Sequence, residues 1–235
     1  MTIKYKDIGE SIEKDIVAGV YKKSKKLPTE EQLMKRYEAS RNTIRKAISI
    51  LVDRGHIYQV QGSGIFIRES SKEGCITLGY MKGLTGDFSS DKITTKLLEL
   101  RIIHADEELA NKLKCKMGIE VYFVNRIRFL NGESFAIEHS YYNKEIVPFL
   151  NKGIVKGSIY DYIINHLKLN IGFADKNIYC EILNEENAEF LGLKAGDPGI
   201  IIEDTVFLTN GLIFNTSKMI YHYKKAKMLS LAKFR

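Results

Sequence analysis

Between residues 40 and 51 the apolar positions Ile44, Ala47, Ile48 and Leu51 recur at i, i+3, i+4 and i+7, which predicts a helix docked by one face. Ser40 stands just ahead of that stripe, where its hydroxyl oxygen can cap the first free backbone N–H groups. Upstream, residues 27–33 read as a helix start. Thr29 caps, Gln32 can reach back to complete a capping box, and Glu30 and Glu31 suit the positive end of the helix dipole. Leu33 and Tyr37 share a face, and residues 38–40 form a short break, which is helix-turn-helix spacing. Downstream, 57–60 and 65–67 read as strands flanking Gln61-Gly62-Ser63-Gly64, a hairpin or wing whose glycines permit positive φ and close approach to a partner. Ile8, Ile12 and Ile16 at i+4 spacing, with Val20 continuing the row, predict an opening helix that ends near Gly19.

After a short polar stretch at 69–74, which reads as a linker, the texture changes. Residues 76–80 are strand-like, although Gly79 weakens them, 81–92 read as a loop, and 93–104 fit helix or strand. A helix is expected over 106–114, with Leu109 and Leu113 on one face. Strands at 121–129 and 134–142 join at Asn131-Gly132. Ser158 caps a helix to 167 that carries Ile159, Ile163 and Leu167. A strand at 174–183, a helix at 185–191, a turn with Gly196 and Pro198, and a long hairpin of 200–208 and 212–222 over Asn210-Gly211 complete the chain. The sum is an α+β protein with a mainly antiparallel sheet behind a small helical unit with a wing.

At 235 residues the chain makes one large or two modest domains. It has no apolar signal core and no apolar run long enough to span a bilayer, so a cytoplasmic protein without membrane contact is expected. Cys75, Cys115 and Cys180 are far apart, with no metal-like Cys/His spacing, so no metal or cofactor is expected. The net charge of +7 is uneven. Residues 1–72 hold 15 Lys+Arg against 9 Asp+Glu, residues 73–217 hold 15 against 20, and residues 218–235 hold 6 against none. That points to nucleic-acid contact by the first part; the basic tail reads as a solvated terminal strand or arm. Arg41 and Arg45 project together from the predicted helix, away from its apolar stripe. There they could pair with guanine or grip phosphate in the major groove, although these twelve residues also fit an ordinary surface helix. Lys22, Lys23, Lys25 and Lys26 could meet phosphates without reading sequence. Arg126 and Arg128, two apart on a strand, share a face. They repel unless an anion or carboxylate lies between them. A phosphate or carboxylate ligand would serve, and so would Glu138 across the hairpin. The five histidines, His56, His104, His139, His166 and His222, form no triad-like or metal-like set.

The run Leu27-Pro28-Thr29-Glu30, then residues 40–47, Leu51, Gly55 and residues 61–67, resembles the winged-helix domain of the GntR family of bacterial transcription regulators over about 5–68. The resemblance implies DNA contacts from Ser40, Arg41 and Arg45, from Asn42 and Thr43 on the same turn, and from Gln61 and Gly62 at the wing tip. Two positions depart from the family. Glu31 stands where an arginine usually touches DNA, and Glu38 stands where glycine is common; a positive φ there would cost ~1 kcal/mol.

Arg126-Ile127-Arg128, Gly132-Glu133, Ala136-Ile137-Glu138, residues 158–160, Leu191-Gly192-Leu193, residues 196–198 and Gly211 resemble the effector-sensing UTRA domain of the family's HutC branch, over about 75–225. That domain has a chorismate-lyase-like fold, and such members are homodimers that respond to small metabolites, often phosphorylated sugars. The resemblance places an anionic group on Arg126, Arg128, Ser158 and Tyr160, helped by Phe88, Ser89 and Ser90, with Glu138 taking ligand hydroxyls and Tyr221 near the sugar. Asn215 replaces a glutamate frequent in relatives, which suits an amino sugar less well. The expected organisation is a DNA-binding domain over 1–68, a linker at 69–74, and an effector-binding and dimerisation domain over 75–235. The expected function is that of a regulator, with repression the commoner role, which reads an inverted-repeat operator under control of an anionic effector. The rivals are a chorismate-lyase-like enzyme and a DNA-binding module whose C-terminal domain only dimerises.

Overall fold

The computed structural model describes residues 5–68, 74–79, 83–88, 90–230 and 232. The chain divides into an N-terminal unit and a second compact unit spanning residues 74–229. The expected linker falls almost entirely outside the described residues.

In the first unit α1 (Tyr5–Val17), α2 (Glu30–Tyr37) and α3 (Arg41–Asp53) precede the hairpin of β1 (Ile57–Val60) and β2 (Gly64–Ile67). The apolar stripes meet in one core: Ile8, Ile12, Leu33, Ile44, Ala47, Ile48 and Leu51 are all buried, joined by Ile57 and Ile65 from the wing. The opening helix stops sooner than its isoleucine row suggested. It ends at Val17, and Val20, beyond the end, is 61% exposed. The capping box forms as the sequence implies, with Thr29 accepting from the Gln32 N–H and Gln32 Oε1 accepting from the Thr29 N–H at 2.9 Å. Glu38 keeps the left-handed conformation, φ 49°, so the turn between α2 and α3 retains its usual geometry despite the missing glycine.

The second unit is built on a six-stranded antiparallel sheet. Its strands are β4 (Ile93–His104), β5 (Glu120–Leu130), β6 (Glu133–Asn143), β7 (Ile171–Ile182), β8 (Pro198–Leu208) and β9 (Ile213–His222), in the order β4-β5-β6-β9-β8-β7. The ambiguous 93–104 segment is thus an edge strand, settled by its pairing with β5. One face packs on α6 (Lys152–Lys156), α7 (Ile159–Asp161) and the π-helical turn Tyr162–His166 that continues it, around Val155, Ile159, Ile163 and Phe214. The other face packs on α5 (Glu107–Leu113) and α8 (Glu185–Leu191). The expected 81–92 loop contains the short helix α4 (Gly83–Asp87), and the expected strand at 76–80 is only β3 (Ile76–Thr77). β3 pairs in parallel with β10 (Met228–Leu229). The basic tail is therefore not a solvated arm from residue 218. Its first residues lie in β9, an interior strand, where Met219, Ile220, Tyr221 and His222 are buried.

Candidate functional site: a basic helix edge and a buried arginine cavity

Two places gather the predicted residues. The first is the N-terminal edge of α3. Ser40 Oγ accepts from the Thr43 N–H at 3.3 Å and lies 2.9 Å from the Thr43 hydroxyl, so both side chains are held at the helix start. Arg41, Asn42 and Arg45 are exposed there, as are Gln61 and Gly62 at the wing tip, while Thr43 is half-buried. Arg45 Nε donates to both carboxylate oxygens of Glu30, at 3.0 and 3.1 Å. Glu31 lies 3.8 Å from Arg41. The N-terminal edge of α2 thus fixes where Arg45 points and places a competing acid beside Arg41, although ion pairs this exposed add little stability. The lysine loop is not free of the wing. Leu27 N–H donates to Ile65 O and Ile67 N–H to Lys25 O, both at 2.9 Å, and Lys26 Nζ sits 4.5 Å over the Phe66 ring. These contacts set an exposed cationic rim, residues 22–26, against the hairpin.

The second place is a cavity of about 90 Å³ in the second unit, between the sheet and α4 and α7. That is several times the ~10–15 Å³ that one water needs. Arg126, Arg128, Glu138, Ser158, Tyr160, Asn215 and Tyr221 all line it. The pleat explains the convergence: Arg126 and Glu138 are direct cross-strand partners, and Arg128 follows two residues along the same face.

The two arginines differ in state. Arg126 is committed to the fold. Its Nε and Nη2 donate to the two oxygens of Glu138, each at 2.9 Å, and its Nη1 donates to the carbonyls of Val155 and Gly157. Ser140 donates to Glu138 as well, at 2.9 Å. Burial alone would push the Glu138 carboxyl up, but the Arg126 and Arg128 guanidiniums and these hydrogen bonds hold it below the usual range. Arg128 is 3% exposed. Its guanidinium donates to Thr85 Oγ1 at 3.1 Å, and its Nε finds no partner among the described residues. Burial, and then the neighbouring Arg126 charge, bring its pKa down to about 10, so it remains a cation at neutral pH. A buried guanidinium at the wall of a cavity, with one N–H that lacks a partner among the described residues, is a ready anion receptor. Burial pushes the hydroxyls of Tyr142, Tyr160 and Tyr221 up, so all three stay neutral donors.

Other predicted positions sit elsewhere or are occupied. Phe88 is buried against Phe135, centroids 5.2 Å apart, and its N–H donates to Leu84 O at 3.1 Å, so neither its ring nor its N–H serves the cavity. Ser90 is exposed and does not line the cavity, and Ser89 lies outside the described residues. Ser158 Oγ accepts from the Asp161 N–H at 3.2 Å, capping α7 while its own proton can still be donated. Asn215 Nδ2 is taken up by the carbonyls of Tyr141 and Thr216. Sequence reading missed Thr85, Asp87, Lys176 and Asp204, which also line the cavity. The one available signal was Asp204, a charge interrupting an otherwise apolar alternation of Ile200, Ile202 and Val206.

Comparison with known proteins agrees with this layout. Residues 4–67 match the model of bacterial regulatory proteins of the gntR family, and residues 89–227 match that of the UTRA domain. The HTH-type transcriptional regulator YydK of Bacillus subtilis (strain 168) is 40% identical, over 97% of this chain and 96% of its own. The crystal structure described as possible transcriptional regulator YydK superposes with a TM-score of 0.86 at 38% identity, covering 97% of this chain and 99% of that one. The HTH-type transcriptional repressor NagR of the same organism is 30% identical, over 92% of this chain and 89% of its own.

Proposed function

The chain belongs to the GntR family of bacterial transcription regulators, as a DNA-binding winged helix joined to a UTRA effector domain, and from that premise we propose how its two sites work together. A homodimer reads a short inverted repeat with two copies of α3. Ser40, Arg41, Asn42, Thr43 and Arg45 face the major groove, and Gln61 and Gly62 reach the adjoining groove. The effector is a small anionic metabolite, of which a phosphorylated sugar is the leading class. Its anion sits on Arg128, with Ser158 and Tyr160 as further donors, while Arg126 and Glu138 form the fixed floor. The observation that carries this reading is Arg128 itself, a buried cation whose Nε lacks a partner among the described residues at the wall of a cavity. An effector that binds one dimer arrangement better than another shifts operator occupancy by no more than that differential affinity.

The protein acts as a regulator in this reading and not as a catalyst. Both oxygens of Glu138 are committed to Arg126 and Ser140, and Asp204 is paired with Lys176, so neither of these cavity carboxylates stands as a free general base. The test is a gel shift on the DNA upstream of the protein's own gene, with and without a panel of sugar phosphates. A panel member is expected to change the affinity of the wild type and to leave that of Arg128→Ala unchanged. Arg45→Ala is expected to lose ~1–3 kcal/mol on the cognate site if it reads a base. Equal response in wild type and Arg128→Ala overturns the effector reading, and turnover of chorismate to pyruvate overturns the non-catalytic one.

A further inference from the structure

The polar row across the cavity floor does not stop at Glu138. Cross-strand pairing sets Ser140 of β6 opposite Ser217 of β9, Ser217 opposite Asp204 of β8, and Asp204 opposite Lys176 of β7. All four line the cavity. The row ends in an ion pair, Lys176 Nζ to Asp204 Oδ1 at 2.7 Å, with side chains only 20% and 12% exposed. Such a pair carries a desolvation cost that apolar residues of similar size would avoid, so it is weak evidence for stability and better evidence for a use. Arg128 on β5 and Asp204 on β8 lie three strands apart and four residues out of register, because Arg128 pairs through Ala136 and Tyr221 to Ile200. Roughly 20 Å therefore separates their backbones at the usual sheet spacings, a span that the inward-pointing side chains shorten. An anion on Arg128 leaves that far end untouched.

We infer that Lys176 and Asp204 form the second half of the effector site, and that they recognise the hydroxyl-bearing end of a ligand whose phosphate rests on Arg128. Asp204 offers an acceptor beside a fixed ammonium donor, the complement of two adjacent hydroxyls on a sugar ring. The ring itself passes over Ser140 and Ser217. A ligand of this class is longer than its anion and is selected at the end away from it. A site built to hydrogen-bond a hydroxyl rejects an analogue that lacks it, because the buried polar groups are then left unpaired.

This rests on the anionic-effector reading, and the experiment separates the two. Thermal unfolding of the full chain is followed with inorganic phosphate and with a panel of aldohexose and ketohexose 6-phosphates at equal concentration. The expected result is stabilisation by phosphate and greater stabilisation by at least one sugar phosphate. Asp204→Asn should lose the excess, at least tenfold in Kd, and keep the phosphate shift. Should Asp204→Asn melt early, the double variant Lys176→Gln with Asp204→Asn replaces the ion pair by a neutral amide pair and should show the same pattern. Retention of the excess in these variants overturns the second subsite and leaves the anion site standing. Stabilisation by phosphate with no excess from any panel member overturns it as well. If neither phosphate nor any sugar phosphate stabilises the wild type, the anionic-effector reading falls, and this inference with it.

Discussion

Arg128 illustrates how one residue can oppose stability and, in the proposed reading, serve binding. Its guanidinium is buried beside a second one, which disfavours its charged form and brings its pKa to about 10. Replacing it by an apolar side chain of similar length removes that cost. Arg128→Met is therefore expected to leave the ligand-free protein as stable or up to ~1–2 kcal/mol more stable, and to abolish the thermal shift produced by phosphate. Calorimetry with and without phosphate reads both. Glu138 behaves in the opposite sense. Its carboxyl is depressed in the folded protein, so it contributes stability above its unfolded pKa and loses it as the pH falls through the folded value. Acid unfolding should therefore steepen below about pH 4.3, the usual glutamate value, and the slope should flatten in Glu138→Gln. Glu38 is a smaller case. It holds φ 49° in the turn before α3, and Glu38→Gly is expected to raise stability by ~0.5–1 kcal/mol in a urea titration.

At the scale of elements, the first turn of α3 depends on the first turn of α2. Glu30 grips Arg45 in two places, and Glu31 stands near Arg41. Glu31→Gln removes a negative charge from the edge proposed to meet DNA. It should tighten binding to all duplexes alike and leave sequence preference intact, which competition with unrelated DNA at several salt concentrations measures. The two capped helix starts, at Thr29 and Ser40, were legible in the sequence because a cap is local: the hydroxyl and the N–H it receives are three residues apart. The short helix α4 was not. Its start at Gly83, φ +65°, places the backbone against the Tyr160 ring, which lies far along the chain, and no local pattern reports that contact.

The second unit, taken as a whole, brings a cavity together from six strands and two short helices that are scattered along the sequence. Its strand order sets β9 between β6 and β8, so the late hairpin supplies Ser217, Tyr221 and Asp204 to a floor begun by Arg126 and Glu138. A ligand that spans this floor touches strands β5 to β8 at once. It is therefore expected to raise the unfolding temperature of the second unit as a single cooperative step, which scanning calorimetry would resolve.

Periodicity and local caps were enough to determine the winged helix of this protein. Its core is built from stripes on short neighbouring elements, and each stripe points inward whatever the partner. The alternation and the Asn-Gly turn also determined the hairpin that pairs Arg126 with Glu138. Only the tertiary structure decided which arginine is spent on the fold and which keeps an N–H without a partner among the described residues. That choice depends on where the Val155 and Gly157 carbonyls come to rest, and a carbonyl's position is invisible in a residue's identity. The same holds for Lys176 and Asp204, whose meeting is a consequence of strand register.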